Sequence, residues 1–109
     1  MTKVFVHGNP ETTAIWEPLV DALRDRGVDD EIVLASPPGF GAPLPADWVA
    51  TPENYRRWLA DQLDALGGDI DLVGHDWGAG NVFRVVAERN DLIRTWAADC
   101  VGLLHPNYV

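Results

Sequence analysis

The sequence predicts an α/β protein, a doubly wound and mostly parallel sheet of about four strands with three helices, on three observations. Short β-branched apolar runs alternate with stretches of 3.6-residue periodicity. Glycine, proline and aspartate punctuate the boundaries, and no repeat or low-complexity tract interrupts the alternation. Parallel strands need helical crossovers and are buried on both faces, which accounts for both features.

Taken in order, Lys3–His7 reads as the first strand. Trp16, Leu19, Val20 and Leu23 fall at i, i+3, i+4 and i+7, giving an amphipathic helix that ends with Gly27 at the C′ position. Its apolar stripe is expected to cover the sheet. Glu31–Ala35 is the second strand. The proline-rich run Ser36–Pro45 follows as a loop, because proline lacks the N–H and fixes φ. Thr51-Pro52 announces the second helix as an N-cap followed by proline at the first helical position; Tyr55, Trp58, Leu59, Leu63 and Leu66 share one face, and Gly67-Gly68 ends it. Ile70–Gly74 is the third strand. A third helix runs from Trp77 to about Arg89 with Val82, Phe83, Val85 and Val86 as buried candidates, and Thr95–Leu104 is the fourth strand.

The chain has 109 residues, 47% hydrophobic and 23% charged, as expected of one soluble domain with a single core. Eight Lys and Arg against seventeen Asp and Glu give a net charge of −9, whose field repels polyanions and disfavours nucleic acid as a partner. The opening Met1–Val6 is too short an apolar run for a secretory signal, and no long apolar stretch suggests a membrane span, so a cytoplasmic protein is expected. Cys100, the sole cysteine, excludes an internal disulfide and a cysteine-rich metal site, and reads as a small core residue. The three histidines are too scattered in sequence to suggest a metal cluster, so no metal is expected. Trp16, Trp48, Trp58 and Trp96 read as packing residues.

Gly74-His75-Asp76-Trp77-Gly78 lies where a strand gives way to a helix and matches the G-x-S-x-G nucleophile elbow with Asp in place of Ser. A sharp strand-to-helix turn pushes the central side chain into the cleft and strains its backbone, so the positions two before and two after must lack bulk. The plainer alternative is that Asp76 caps the third helix, since Asp is a favoured N-cap. His7-Gly8-Asn9-Pro10 follows the first strand, where a turn can aim the Asn9 backbone N–H and side-chain amide into the same cleft. With right-handed crossovers and the strand order second, first, third, fourth, the topological switch point lies between strands one and three, whose carboxyl ends carry Asn9 and Asp76.

HGNP after a first strand, PPGFG after a second and GHDWG after a third resemble the haloalkane dehalogenase and epoxide hydrolase branch of the α/β-hydrolases, over nearly the whole chain. The resemblance implies a nucleophilic Asp76, with Asn9 and Trp77 donating side-chain N–H groups to a departing halide. HGNP leans toward dehalogenases, because similar epoxide hydrolases usually carry an aromatic residue where this chain has Asn9. Their backbone N–H groups would form an oxyanion hole when the Asp76 ester is hydrolysed. It implies no cofactor, and as partners a small apolar organic substrate and water.

The family's base is a histidine after the final strand. His7 and His75 belong to the turn motifs and are expected to be structural, and His105 comes too early in chain order to match that base. Asp99, near the end of the fourth strand, is a candidate for the acid that some dehalogenases place there; a solvated or hydrogen-bonded strand-end Asp is the alternative, and a one-residue slip would reverse its face. The family's cap, further strands and histidine are absent, so residues 1–109 are expected to be the N-terminal portion of an α/β-hydrolase core, either a fragment whose fourth strand awaits a neighbour or a truncated relative. Epoxide hydrolysis needs an acidic hydroxyl, for which Tyr55, on the stripe of the second helix, and Tyr108 are poor candidates. A non-catalytic binding module on the same fold is the third reading.

Overall fold

The computed structural model describes residues 1–102 and 106–107. The apolar runs form β1 (Thr2–Val6), β2 (Glu31–Ala35), β3 (Ile70–His75) and β4 (Ile93–Asp99), each within two residues of its predicted start. They make one parallel sheet in the order β2-β1-β3-β4, the order expected from right-handed crossovers. The helices are α1 (Glu17–Asp25), α2 (Pro52–Ala65) and α3 (Trp77–Glu88). None is long and apolar enough to cross a membrane, among the described residues.

Side chains alternate across the sheet, and one face carries the core. Val4, Val6, Ile70 and Leu72 pack there against Leu59 and Leu63 of α2 and Val82 and Val85 of α3, all fully buried. Burying a side chain of this kind contributes about 1.5–3 kcal/mol, so the sheet face covered by α2 and α3 is the stable body of the chain. Phe5 points to the other face and meets Trp16, with ring centroids 5.1 Å apart.

The helix ends follow their chemistry. Thr51 caps α2 by accepting from the Asn54 N–H at 3.1 Å, with Pro52 at the first helical position. At the far end Gly67 takes a φ of 90°, and the Gly68 N–H returns to the Leu63 carbonyl in a Schellman closure. Gly27 closes α1 in the same way, with φ 83° and a bond from the Val28 N–H to the Leu23 carbonyl.

Three expectations need correction. The α1 stripe does not cover the sheet: Leu19 is exposed, Val20 and Leu23 are half-buried, and α1 has no buried residue. Trp16, in a 3-10 turn (Thr13–Trp16) before α1, does the burying instead, while α2 and α3 share the opposite face and leave α1 without a helix beside it. The fourth strand stops at Asp99 rather than Leu104, because Cys100 adopts a φ of 56° that turns the chain out of the sheet; Leu103 and Leu104 lie outside the described residues. For the same reason Cys100 is exposed and not a core residue. Of the remaining packing tryptophans, Trp58 lies against the core, Trp48 meets Tyr55 edge to face, and Trp96 meets Phe83 similarly on a largely exposed β4.

Candidate active site

The elbow forms where β3 ends and α3 begins. Asp76 has φ 59° and ψ −125°, a conformation that costs a non-glycine residue on the order of 1–3 kcal/mol and persists only where surroundings enforce it. Three glycines supply that enforcement by letting backbones touch. A Cβ on Gly78 would stand 2.1 Å from the Val6 carbonyl oxygen, one on Gly74 2.6 Å from Val82 Cγ2, and one on Gly8 2.5 Å from Asp76 Oδ2. The first turn of α3 therefore sits directly on the end of β1, and the turn after β1 lies against the Asp76 carboxylate.

That carboxylate does not cap α3; no side-chain capping bond is present. Its Oδ2 instead accepts from the Asn9 backbone N–H at 3.3 Å, a long bond that leaves most of its acceptor capacity open. The two motifs meet at the switch point between β1 and β3, and Asn9 meets Asp76 through its backbone, with its side chain exposed. Trp77, the next residue, is 68% exposed, so its indole faces the cleft rather than the core.

Beneath the elbow, both predicted structural histidines are tied down. His7 is fully buried; its Nδ1 lies 2.9 Å from the Gly8 carbonyl oxygen, to which it donates, and its Nε2 2.9 Å from Ser36 Oγ. His75 stands between carboxylates, with Nδ1 2.6 Å from Asp99 Oδ1 and Nε2 3.2 Å from Glu11 Oε2. The hydrogen bond to Asp99 raises its pKa above the ordinary 6.5, against the opposing effect of burial and with the charges of Glu11, Asp99 and Asp76 adding to the rise. Both ring nitrogens face acceptors, so the imidazolium is the favoured form. Glu11 also accepts from the Gly8 N–H at 2.8 Å and so joins the turn after β1 to the end of β3. Asp99 keeps the register His75↔Asp99 on one face, and its contact is with His75.

Two cavities open on this end of the sheet. The first, about 250 Å³, is lined by Asp76, Trp77, Gly80, Arg84 and the Cys100–Gly102 segment. The second, about 270 Å³, is framed by Pro37, Phe40, Tyr55, Trp77, Asn81 and Arg84 among others. Tyr55 donates its hydroxyl to the Pro38 carbonyl at 2.8 Å and stacks on Phe40, so this ring shapes the wall with its proton already committed. One group among the described residues could hold a cation: donor atoms of His75, Asp99 and Cys100 lie within 4.8 Å of one another. The β3–β4 pairing gathers what sequence separation had scattered.

His105 and Tyr108 lie outside the described residues. Sequence reasoning missed Glu11, Asn81 and Arg84. Glu11 had a signal, an acidic side chain three residues after Gly8, placed to accept from its N–H. Asn81 and Arg84 had another: polar residues four and seven after Trp77 on an otherwise apolar helix share its face.

A family model described as the alpha/beta hydrolase family matches residues 4–106. The chain is 30% identical to haloalkane dehalogenase 2 of Mycobacterium tuberculosis, over 89% of this chain and 36% of that protein. It is 33% identical to an epoxide hydrolase of Caballeronia sordidicola, over 81% of this chain and 27% of that protein. The chain thus spans about a third of the length of the curated relatives it matches. A haloalkane dehalogenase structure from Agrobacterium tumefaciens superposes with a TM-score of 0.75 at 26% identity, over 89% of this chain and 33% of that one. A naproxen esterase from Bacillus subtilis shares the fold, with a TM-score of 0.73 at 18% identity.

Proposed function

The chain belongs to the alpha/beta hydrolase family, and from that premise we propose that Asp76 is the nucleophile of a hydrolase that cleaves a carbon–halogen bond through an alkyl-enzyme ester. One observation carries the reading: a carboxylate is held at a strained strand-to-helix elbow, uncapped, lining a cavity and bound, among the described residues, by a single long hydrogen bond. In the first step a carboxylate oxygen of Asp76 attacks the halogen-bearing carbon, and the halide leaves with the bonding electron pair. Asn9 and Trp77 would receive that anion through their side-chain N–H groups, in an environment where fixed donors are stronger than in water. In the second step water attacks the ester carbonyl, and the backbone N–H groups of Asn9 and Trp77 would face the developing oxyanion, which regenerates Asp76 and releases the alcohol. Neither His7 nor His75 serves as the base for that water, because each has both ring nitrogens committed.

The relatives support either of two substrates, since both haloalkane dehalogenases and an epoxide hydrolase are among them. Epoxide opening needs a proton for the departing oxygen, and Tyr55 directs its own to Pro38. Asn9, where similar epoxide hydrolases carry an aromatic residue, favours the halide. The test is halide release from a haloalkane panel by the full-length protein. Asn9→Ala and Trp77→Phe should each lower kcat/KM by about 10²-fold or more, the loss associated with one anion-stabilising donor. Unchanged release in both variants would remove the halide assignment, and diol formation from epoxides without halide release would install the rival.

A further inference from the structure

We propose that Arg84 and Asn81 form an anion-recognising subsite, so that the preferred substrate carries a carboxylate at the end remote from the reacting carbon; this rests on the reading of Asp76 as nucleophile. Asn81 is 7% exposed, and its amide has no hydrogen-bond partner among the described residues. What exposure it keeps opens into the second cavity, which it lines. An amide at that opening can donate to an acceptor bound in the cavity. Arg84 is half-buried, pairs with no carboxylate among the described residues, and lines both cavities. A guanidinium presents five donors in a planar fork suited to a carboxylate.

The spacing along α3 assembles these groups. Trp77, Asn81 and Arg84 fall at i, i+4 and i+7 on one stripe, and Gly80 leaves the neighbouring groove free of a side chain. Helical side chains lean toward the N-terminus, which carries the Arg84 arm back toward Trp77 and Asp76. Over the seven residues from Trp77 to Arg84 the backbone rises about 10 Å, and the returning arm shortens that span for a ligand reaching from Asp76 to the guanidinium. Between the two ends, Trp77, Phe40, Pro37 and the Tyr55 ring offer an apolar wall to an alkyl chain. The ligand that fits is an amphipathic anion: reactive carbon at Asp76, apolar body on Trp77, carboxylate at Arg84 and Asn81. No bond is made to the tail, and the chemistry at Asp76 is unchanged.

The experiment compares ω-bromoalkanoates of graded length with 1-bromoalkanes of the same length on the full-length protein. The acids are expected to show the higher kcat/KM, and Arg84→Gln should lower the acid-to-neutral ratio by about 10-fold or more, as for loss of a charge-assisted hydrogen bond. Arg84→Lys, which keeps the charge without the fork, should retain part of the preference, and Asn81→Ala should lose a smaller share of it. An acid-to-neutral ratio of one in the native protein, or a ratio unmoved in folded Arg84→Gln, overturns the subsite while leaving carbon–halogen cleavage standing. No bromide release from either series overturns the proposed activity instead. Calorimetric binding of octanoate to the same variants then decides the subsite: weaker binding in Arg84→Gln supports it, and equal binding rejects it.

Discussion

Asp71 and Asp76 stand at opposite ends of the same strand-and-elbow segment, and their surroundings are opposites. Asp71, near the start of β3, is buried and accepts from Lys3 at 2.9 Å, from Thr95 at 2.6 Å and from Arg94. Burial alone would raise its pKa, but the bonds from Arg94, Thr95 and Lys3 outweigh it and hold the carboxyl well below the usual carboxylate range. Asp76 has one long bond from a backbone N–H and an open cavity in front of it. A carboxylate with both oxygens engaged by three donors fastens strands together, whereas one left with a single long bond keeps its acceptor capacity free. Burial and charge are common to many aspartates; the count of donors separates these two.

The comparison is most open to breakage at Asp76. Asp76→Asn should lower turnover by about 10⁴-fold or more, the scale seen when a nucleophile is removed, and leave the urea midpoint nearly unchanged. A variant that kept its activity would end the contrast, as would one that failed to fold. Asp71→Asn should do the reverse, costing about 2 kcal/mol in urea denaturation while the kcat of the folded protein is retained. The pH dependence has a definite sign: with the folded pKa depressed, the contribution of Asp71 is fully present above the ordinary 3.8 and is lost as pH falls through and below it. The native protein should therefore lose stability below that pH more steeply than Asp71→Asn.

The smallest effect falls on His75, whose folded pKa is raised. Its contribution to stability is present below 6.5 and is lost as pH rises through the elevated value. Asp99→Asn should move the His75 titration, followed by NMR, downward, at less than about 1 kcal/mol because Asp99 is exposed. A His75 midpoint that stayed put would show that the 2.6 Å contact does not control it.

The same contrast explains what could be read from residues alone. Thr51-Pro52 and Gly67-Gly68 set the limits of α2 because capping chemistry is local, and GHDWG set the elbow because its glycines answer to contacts that no side chain could survive. The end of β4 was illegible: Asp99 and Gly102 both interrupt the apolar run from Ala97 to Leu103 without saying which one ends the strand, and a left-handed cysteine leaves no trace in composition. The exposed stripe of α1 was equally hidden, since periodicity reports an apolar face and not what is present to cover it. The clasp of Glu11 on His75 and Gly8 depends on three elements meeting, which only the folded chain brings about.

The glycine joint under the elbow also divides this short stretch of chain by how freely it can vary. At position 78 even one methyl group would meet the Val6 carbonyl at 2.1 Å, so a library that randomised the codons around Asp76 would return almost nothing but glycine there. Positions 81 and 84 border the second cavity, where a substitution alters the wall and leaves the glycine contacts that aim Asp76 in place. Mutational robustness and evolvability thus sit within two turns of one helix: an immutable pivot at its start, and beyond it a row of sites where new substrate preferences can be selected at little cost to folding.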